Sequence, residues 1–176
     1  MNRKNIIKFT RDWIIPIVIS IILAFLINKF LIFKACIPSE SMVPTINKHD
    51  RLFVSRIYNY DNIKRGDILV FYSNEFQQLF IKRVIGLPGD KVEIFKGIVE
   101  INGEIINEDY VKNNDFNYTG SFTVPYESYL FLGDNRSNSK DSRFWRNPYI
   151  NKKDIKGKAW IRVYPYKNFG KINWKI

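Results

Sequence analysis

The run from Trp13 to Phe33 constrains this chain most: it holds 21 residues, of which only Asn28 and Lys29 are strongly polar. A helix of that length, rising about 1.5 Å per residue, reaches roughly 32 Å, the thickness of a bilayer's hydrocarbon core. Pro16 falls in the first turn, where a missing N–H is tolerated. Lys29 stands near the far end, where its stem can carry the charge out to the headgroups. Arg3, Lys4, Lys8 and Arg11 precede the run against one acid, Asp12. The positive-inside rule then makes residues 1–12 a basic cytoplasmic tail, residues 13–33 a transmembrane anchor, and residues 34–176 an extracytoplasmic domain.

Two other readings of the run fit less well. A cleaved signal peptide ends in a small-x-small site, and the nearest candidate, Phe33-Lys34-Ala35, has a bulky residue at its first small position. A lipid-modified Cys36 calls for small residues before it, where Phe33 and Lys34 stand. The expectation is an uncleaved signal anchor in a cell membrane, with the lipid bilayer as a partner.

The rest of the chain reads as strands and turns. Arg51–Ser55, Asp67–Tyr72, Leu79–Ile85, Val92–Phe95, Ile98–Ile101, Tyr129–Leu132 and Ala159–Tyr164 are rich in β-branched and aromatic residues and are bounded by Gly, Asn, Asp and Pro. Asn102-Gly103 between Ile101 and Glu104 marks a hairpin, because both turn positions need a positive φ. Gly86, Pro88, Gly89 and Asp90 read as a tight turn, and the polar stretch Asn107–Asn117 as a surface excursion. No helical apolar period follows residue 33. The expected fold class is all-β: one N-terminal transmembrane helix, then a compact domain of antiparallel sheets with a small secondary β region within about 91–128.

Composition limits the chemistry. A single cysteine excludes an internal disulfide framework and Cys-clustered zinc or iron–sulfur sites, and a single histidine, His49, excludes multi-histidine metal centres. The expectation is no cofactor and no metal. The net charge is +11, and setting aside five basic residues and one acid in the first 33 leaves +7 on residues 34–176. An excess so diffuse is usually a solvated surface, and on an extracytoplasmic domain it gives no reason to expect nucleic acid.

Three segments carry candidate chemistry. In Ile37–Thr45, Ser41 lies between Pro38 and Pro44 and within about 27 Å of chain from Phe33, at 3.3–3.6 Å per residue. It reads either as a nucleophile held near a membrane surface or as a turn serine. In Leu79–Asp90, Lys82 shares a strand face with Phe80 and Val84. Burial there would lower its pKa and make it a general base; a strand-edge lysine with a packed stem is the other reading. Arg83, on the opposite face, is expected to be structural or solvent-facing. In Phe131–Arg143, Asp134, Asp141, Arg136 and Arg143 can pair to fix a loop, or the loop is simply exposed and polar. A metal site from Asp134, Asn135, Ser139 and Asp141 lacks the spacing and closing glutamate of a calcium loop.

Taken together, Ser-x-Ser-Met-x-Pro-Thr after an anchor, Lys-Arg-x-x-Gly-x-Pro-Gly-Asp, and Gly-Asp-Asn-x-x-x-Ser-x-Asp-Ser-Arg resemble the bacterial type I signal peptidases. The resemblance spans roughly residues 13–165 and is to the short, single-anchor Gram-positive type. It implies a Ser–Lys serine endopeptidase that removes signal peptides from secreted preproteins after Ala-x-Ala-like sites. It assigns Ser41 as nucleophile, Lys82 as general base, and Ser39 as an oxyanion donor beside the backbone N–H of Ser41. Ser139 matches the serine that orients the lysine, Asp141 and Arg143 the pair that holds the site's shape, and Asp134 and Asn135 look structural. Eukaryotic relatives place a histidine at the lysine's position, which here is Lys82, so His49 is expected to be an exposed loop residue. Cytosolic repressor self-cleavage proteases share a Ser–Lys pair but not the anchor. The alternative from another class is a non-catalytic, membrane-tethered β domain that binds peptides or anionic surfaces, with Lys152, Lys153, Lys156 and Lys158 as its contact face.

Overall fold

The structure, a computed structural model, describes residue 8 and residues 10–172. Arg3, Lys4 and most of the basic tail therefore lie outside the described residues. The chain divides into two compact units, Met1–Phe33 and Lys34–Ile176.

In the first unit a continuous helix runs Thr10–Leu31, 22 residues containing an 18-residue stretch of mean hydropathy 2.5, long and apolar enough to cross a membrane. Its centre is the α-helix α1 (Ile15–Leu26), flanked by π-helical turns at Thr10–Ile14 and Ile27–Leu31. None of the residues of α1 is buried within the chain. Its few polar side chains turn back on the helix: Ser20 Oγ donates to the Pro16 carbonyl at 2.8 Å and Asn28 Nδ2 to the Ala24 carbonyl at 2.9 Å. Such bonds satisfy a polar group where water is absent. The helix starts three residues before the expected Trp13 and stops two before Phe33. Ile32 and Phe33, β-branched and aromatic, open strand β1 (Ile32–Cys36) instead.

The second unit is all-β. Its strands are β2 (Arg51–Arg56), β3 (Ile68–Ser73), β4 (Gln78–Gly86), β5 (Lys91–Phe95), β6 (Ile98–Ile101) and β7 (Glu104–Ile105), followed by β8 (Thr119–Thr123), β9 (Ser128–Leu132), β10 (Tyr149–Asn151), β11 (Ile155–Tyr164) and β12 (Gly170–Lys171). An eight-stranded sheet has the order β1-β2-β11-β3-β4-β9-β10, with β12 on β11; a four-stranded sheet has the order β7-β6-β5-β8. The pairings along β2 to β12 are antiparallel.

Strand β9 and the part of β4 from Ile81 onward are buried on both faces, which is why Tyr129–Leu132 run apolar without alternation. On one face Val84 and Phe131 join Leu69, Phe71, Trp145 and Ile155, with the rings of Phe71 and Phe131 only 4.3 Å apart. On the other, Ile85, Leu130 and Leu132 meet Val92, Ile94, Val99 and Ile101 of the small sheet. Asn102 and Gly103 have φ of 53° and 89°, as the hairpin demanded. The Leu87–Asp90 turn closes through the Asp90 N–H to the Leu87 carbonyl, and Gly89 takes φ 88°.

Residues 107–117 form no strand and lie at the surface between β7 and β8, none of them buried. Within this excursion Glu108, Tyr110 and Asp115 turn inward and are half-buried against three arginines of the large sheet and its loops. The polar composition of the stretch serves both solvent and these buried partners.

Candidate active site

The Ile37–Thr45 loop is pinned at its apolar residues. Ile37, Met42 and Ile46 are buried, Ile37 N–H donates to the Asp50 carbonyl at 3.0 Å, and Ile46 N–H donates to that of Met42 at 2.8 Å. Arg162 on β11 donates to the Thr45 carbonyl, closing the far end. Ser41 is thereby held at 6% exposure, and Ser39, two residues earlier, stays on the surface with its Oγ 3.4 Å from Ser41 Oγ.

Lys82 reaches the same point from the middle of β4, where it pairs with Leu69 of β3. Its Nζ donates to Ser41 Oγ, its side chain lies over the Phe80 ring, and the residue is 3% exposed. Burial lowers its pKa from 10.5 to about 8; the carboxylates of Asp141 and Asp134 oppose that shift, and Arg143 adds to it.

The third segment supplies the frame. Asp134 is bound by Arg83 through Nε at 2.8 Å and Nη2 at 2.6 Å, and Arg83 Nη1 donates to the Gly66 carbonyl at 2.9 Å. Arg83 is fully buried, so its solvent-facing reading is corrected: the outward parity of β4 at this point faces a loop, not water. Asp141 accepts from Arg143 Nε at 2.9 Å and Nη2 at 3.0 Å and from the Gly133 N–H at 2.9 Å. Asn135 clasps the serine loop: its N–H donates to the Ser41 carbonyl at 3.1 Å and its Nδ2 to the Glu40 carbonyl at 3.0 Å. Ser139 Oγ is buried against Gly133 with no hydrogen-bond partner among the described residues, and so makes no hydrogen bond to Lys82. His49 is an exposed residue at φ 69° and does not line the cleft beside Ser41.

That cleft, about 450 Å³, is lined by Pro38, Ser39, Glu40, Ser41, Lys48, Phe80, Lys82, Asn138 and Lys140. Among the described residues no cluster of His, Cys, Asp and Glu is arranged to hold a metal ion. Sequence reasoning missed Gly133 as a contact residue and missed Glu108, Tyr110 and Asp115 altogether. Gly133 was visible inside its motif; the other three had no local signal, because what defines them is a partner distant in sequence.

A hydroxyl and a lysine of lowered pKa lie buried together beside an open cleft, an arrangement whose chemistry suits a nucleophile with its base. The family described as signal peptidase, peptidase S26, matches residues 10–164. The chain belongs to this family. Signal peptidase I of Leptolyngbya laminosa is 41% identical over 163 residues, covering 88% of this chain and 79% of the relative. Signal peptidase I P of Bacillus subtilis subsp. natto is 41% identical over 175 residues, covering 93% and 92%. Among solved structures, a signal peptidase I from Enterococcus faecalis V583 superposes with a TM-score of 0.50 at 32% identity, covering 55% of this chain and 96% of that one. Membership of the signal peptidase family makes the chain a peptidase, and its apolar helix is consistent with a membrane anchor.

Proposed function

We propose that this protein is a membrane-anchored serine endopeptidase that removes N-terminal signal peptides from secreted preproteins, with Ser41 as nucleophile and Lys82 as general base. The observation that carries the reading is the hydrogen bond from Lys82 Nζ to Ser41 Oγ between two buried side chains. Neutral Lys82 takes the Ser41 proton as Oγ attacks the scissile carbonyl carbon. The resulting oxyanion is met by the Ser41 backbone N–H and the Ser39 hydroxyl; losing one such donor typically costs about 2.7–4 kcal/mol. The Lys82 ammonium then protonates the leaving amine, and the carbon–nitrogen bond breaks to leave an acyl-enzyme. Water, deprotonated by Lys82, attacks that ester and frees Ser41. Asp134, Asn135, Asp141 and Arg143 hold the loops in place, and Ser139 fills the space between Gly133 and the site.

Strand β9 pairs with β4 only from Arg83 to Gly86, so Gln78–Ile81 present an open edge among the described residues. An extended peptide added there would run toward Ser41, with small pockets for an Ala-x-Ala-like site. The anchor favours the same substrate class. A cleavage site just beyond another apolar helix would meet a tethered nucleophile at high effective concentration. The basic residues before the anchor favour a cytoplasmic N-terminus and an extracytoplasmic catalytic domain.

The test is cleavage of a preprotein with an Ala-x-Ala site by the full-length chain in lipid, beside Ser41→Ala and Lys82→Ala. Cleavage by the wild type alone is expected. Activity surviving in either folded variant removes that residue from the mechanism, and an inactive, folded wild type removes the proposal.

A further inference from the structure

Residues 108–115 cross the back of the site and seat one side chain on each of three buried arginines. Glu108 takes Arg136 in a two-point ion pair, Oε2 accepting from Nη1 at 2.9 Å and Oε1 from Nη2 at 2.5 Å. Tyr110 lays its ring over the Arg83 guanidinium at 3.8 Å and donates its hydroxyl to Glu108 Oε1 at 2.5 Å. Asp115 accepts from Arg143 Nη1 at 3.0 Å. The main chain joins in, since Ser137 N–H donates to the Asn113 carbonyl at 3.2 Å and Asn113 bridges to Asn135.

The Glu108–Arg136 pair leads directly toward the nucleophile. Arg136 Nε donates to the Gly133 carbonyl at 3.0 Å, and its own carbonyl accepts from Arg143 Nη2 at 2.7 Å. Two residues after Gly133, the Asn135 N–H holds the Ser41 carbonyl. Arg136 is 3% exposed, and a guanidinium so buried keeps its place only with a counter-charge. Glu108 is that counter-charge. With it, Arg136 braces the Gly133–Asn135 turn from inside; without it, the guanidinium is drawn toward water and the turn loses its brace.

We propose that Glu108 is a positioning residue of the active site, acting through Arg136 on the turn that holds Ser41. The inference rests on the peptidase reading of Ser41 and Lys82. Catalytic geometry tolerates displacement far less than folding does, and a shift of about 1 Å can cost about 100-fold in rate. The effect of losing Glu108 therefore belongs in kcat rather than in KM, because the cleft side chains that meet the substrate are not among its contacts.

The experiment measures kcat and KM for preprotein cleavage by the full-length protein in lipid, at a temperature where circular dichroism shows every variant folded. Glu108→Gln is expected to lower kcat about 10- to 100-fold with KM within about threefold. Arg136→Gln is expected to give a similar loss, and the double variant little more than either alone, since both remove one brace. Asp90→Asn weakens a single-contact, more exposed ion pair with Arg65 in the Leu87–Asp90 turn, away from Ser41; it is expected to lower the unfolding temperature and leave kcat alone. An unchanged kcat in folded Glu108→Gln, or losses that multiply independently in the double variant, overturns the inference. If Glu108→Gln does not fold, Tyr110→Phe decides: it keeps the ring on Arg83 and removes only the hydroxyl bond to Glu108. A several-fold fall in its kcat supports the inference and an unchanged kcat overturns it. Ser41→Ala and Lys82→Ala run alongside. Cleavage surviving in those two defeats the peptidase reading itself, whereas their inactivity beside a fully active Glu108→Gln defeats only the role of Glu108.

Discussion

The backbone N–H of Asn135 donates to the carbonyl oxygen of Ser41 at 3.1 Å, so the Gly133–Arg143 loop grips the serine loop by its main chain. The Asn135 side chain adds a second grip on the carbonyl of Glu40. Asn135→Ala removes the second and leaves the first. The expected outcome is a folded enzyme whose kcat falls roughly fivefold to tenfold, matching the loss of about 1 kcal/mol for one hydrogen bond. Steady-state cleavage kinetics check this, and a wild-type kcat would show that the main-chain bond alone sets the loop.

Gly133 stands where no side chain fits. A Cβ there would lie 2.1 Å from Ser139 Oγ and 2.5 Å from the Ser41 carbonyl oxygen, one a side chain, the other backbone. Gly133→Ala is therefore expected to push the two loops apart and to lower kcat by about 100-fold or more, with the β-sheets intact by circular dichroism. Full activity would mean that Ser41 tolerates a displaced carbonyl. Gly133→Ala paired with Ser139→Gly separates the two clashes: any activity regained measures the share due to Ser139.

These two contacts show what a single sequence discloses. The strand runs at Arg51, Ile68, Leu79, Val92 and Tyr129 were legible because β-branched and aromatic clusters sit between turn residues, and Asn102-Gly103 was legible because its backbone demands are local. Strand β8, Thr119-Gly-Ser-Phe-Thr123, was not: its residues are half-exposed, and only pairing with β5 makes it a strand. Ser41 and Lys82 stood out through their motifs. Glu108 and Asp115 did not, because each acquires meaning from an arginine 28 residues further along the chain. No periodicity or composition encodes such a pairing.

Arg83 and Asp134 form a fully buried ion pair with two short hydrogen bonds, under the ring of Tyr110. Removing one partner strands the other charge away from water, at a typical cost of about 3–5 kcal/mol. Asp134→Asn is expected to lower the unfolding free energy by that order in urea titration. Arg83→Lys should fare little better, since an ammonium cannot span both carboxylate oxygens and the Gly66 carbonyl. A loss under about 1 kcal/mol for Asp134→Asn would mean that the arginine finds other acceptors in place.

On the peptidase reading, Lys82 makes activity and stability rise with pH together. With a pKa of about 8 in the folded chain, only about a tenth of molecules carry the neutral amine at pH 7, so kcat/KM is expected to climb through pH 8 and level above it. The unfolded chain holds the same proton up to about 10.5, and between those limits unfolding takes up a proton. The Lys82 contribution to stability therefore rises with pH from about 8 to 10.5, and below 8 its buried charge costs the full difference, on the order of 3 kcal/mol. Lys82→Met removes that cost. The inactive variant is expected to exceed the wild type in urea stability at pH 7, with the gap closing as pH rises past 8. Taking the difference between the two proteins cancels the titration of the tyrosines in the same range. A gap that stays constant or widens with pH would place the lysine's charge in a compensated site, and a flat kcat/KM profile between pH 6 and 9 would remove Lys82 as the base.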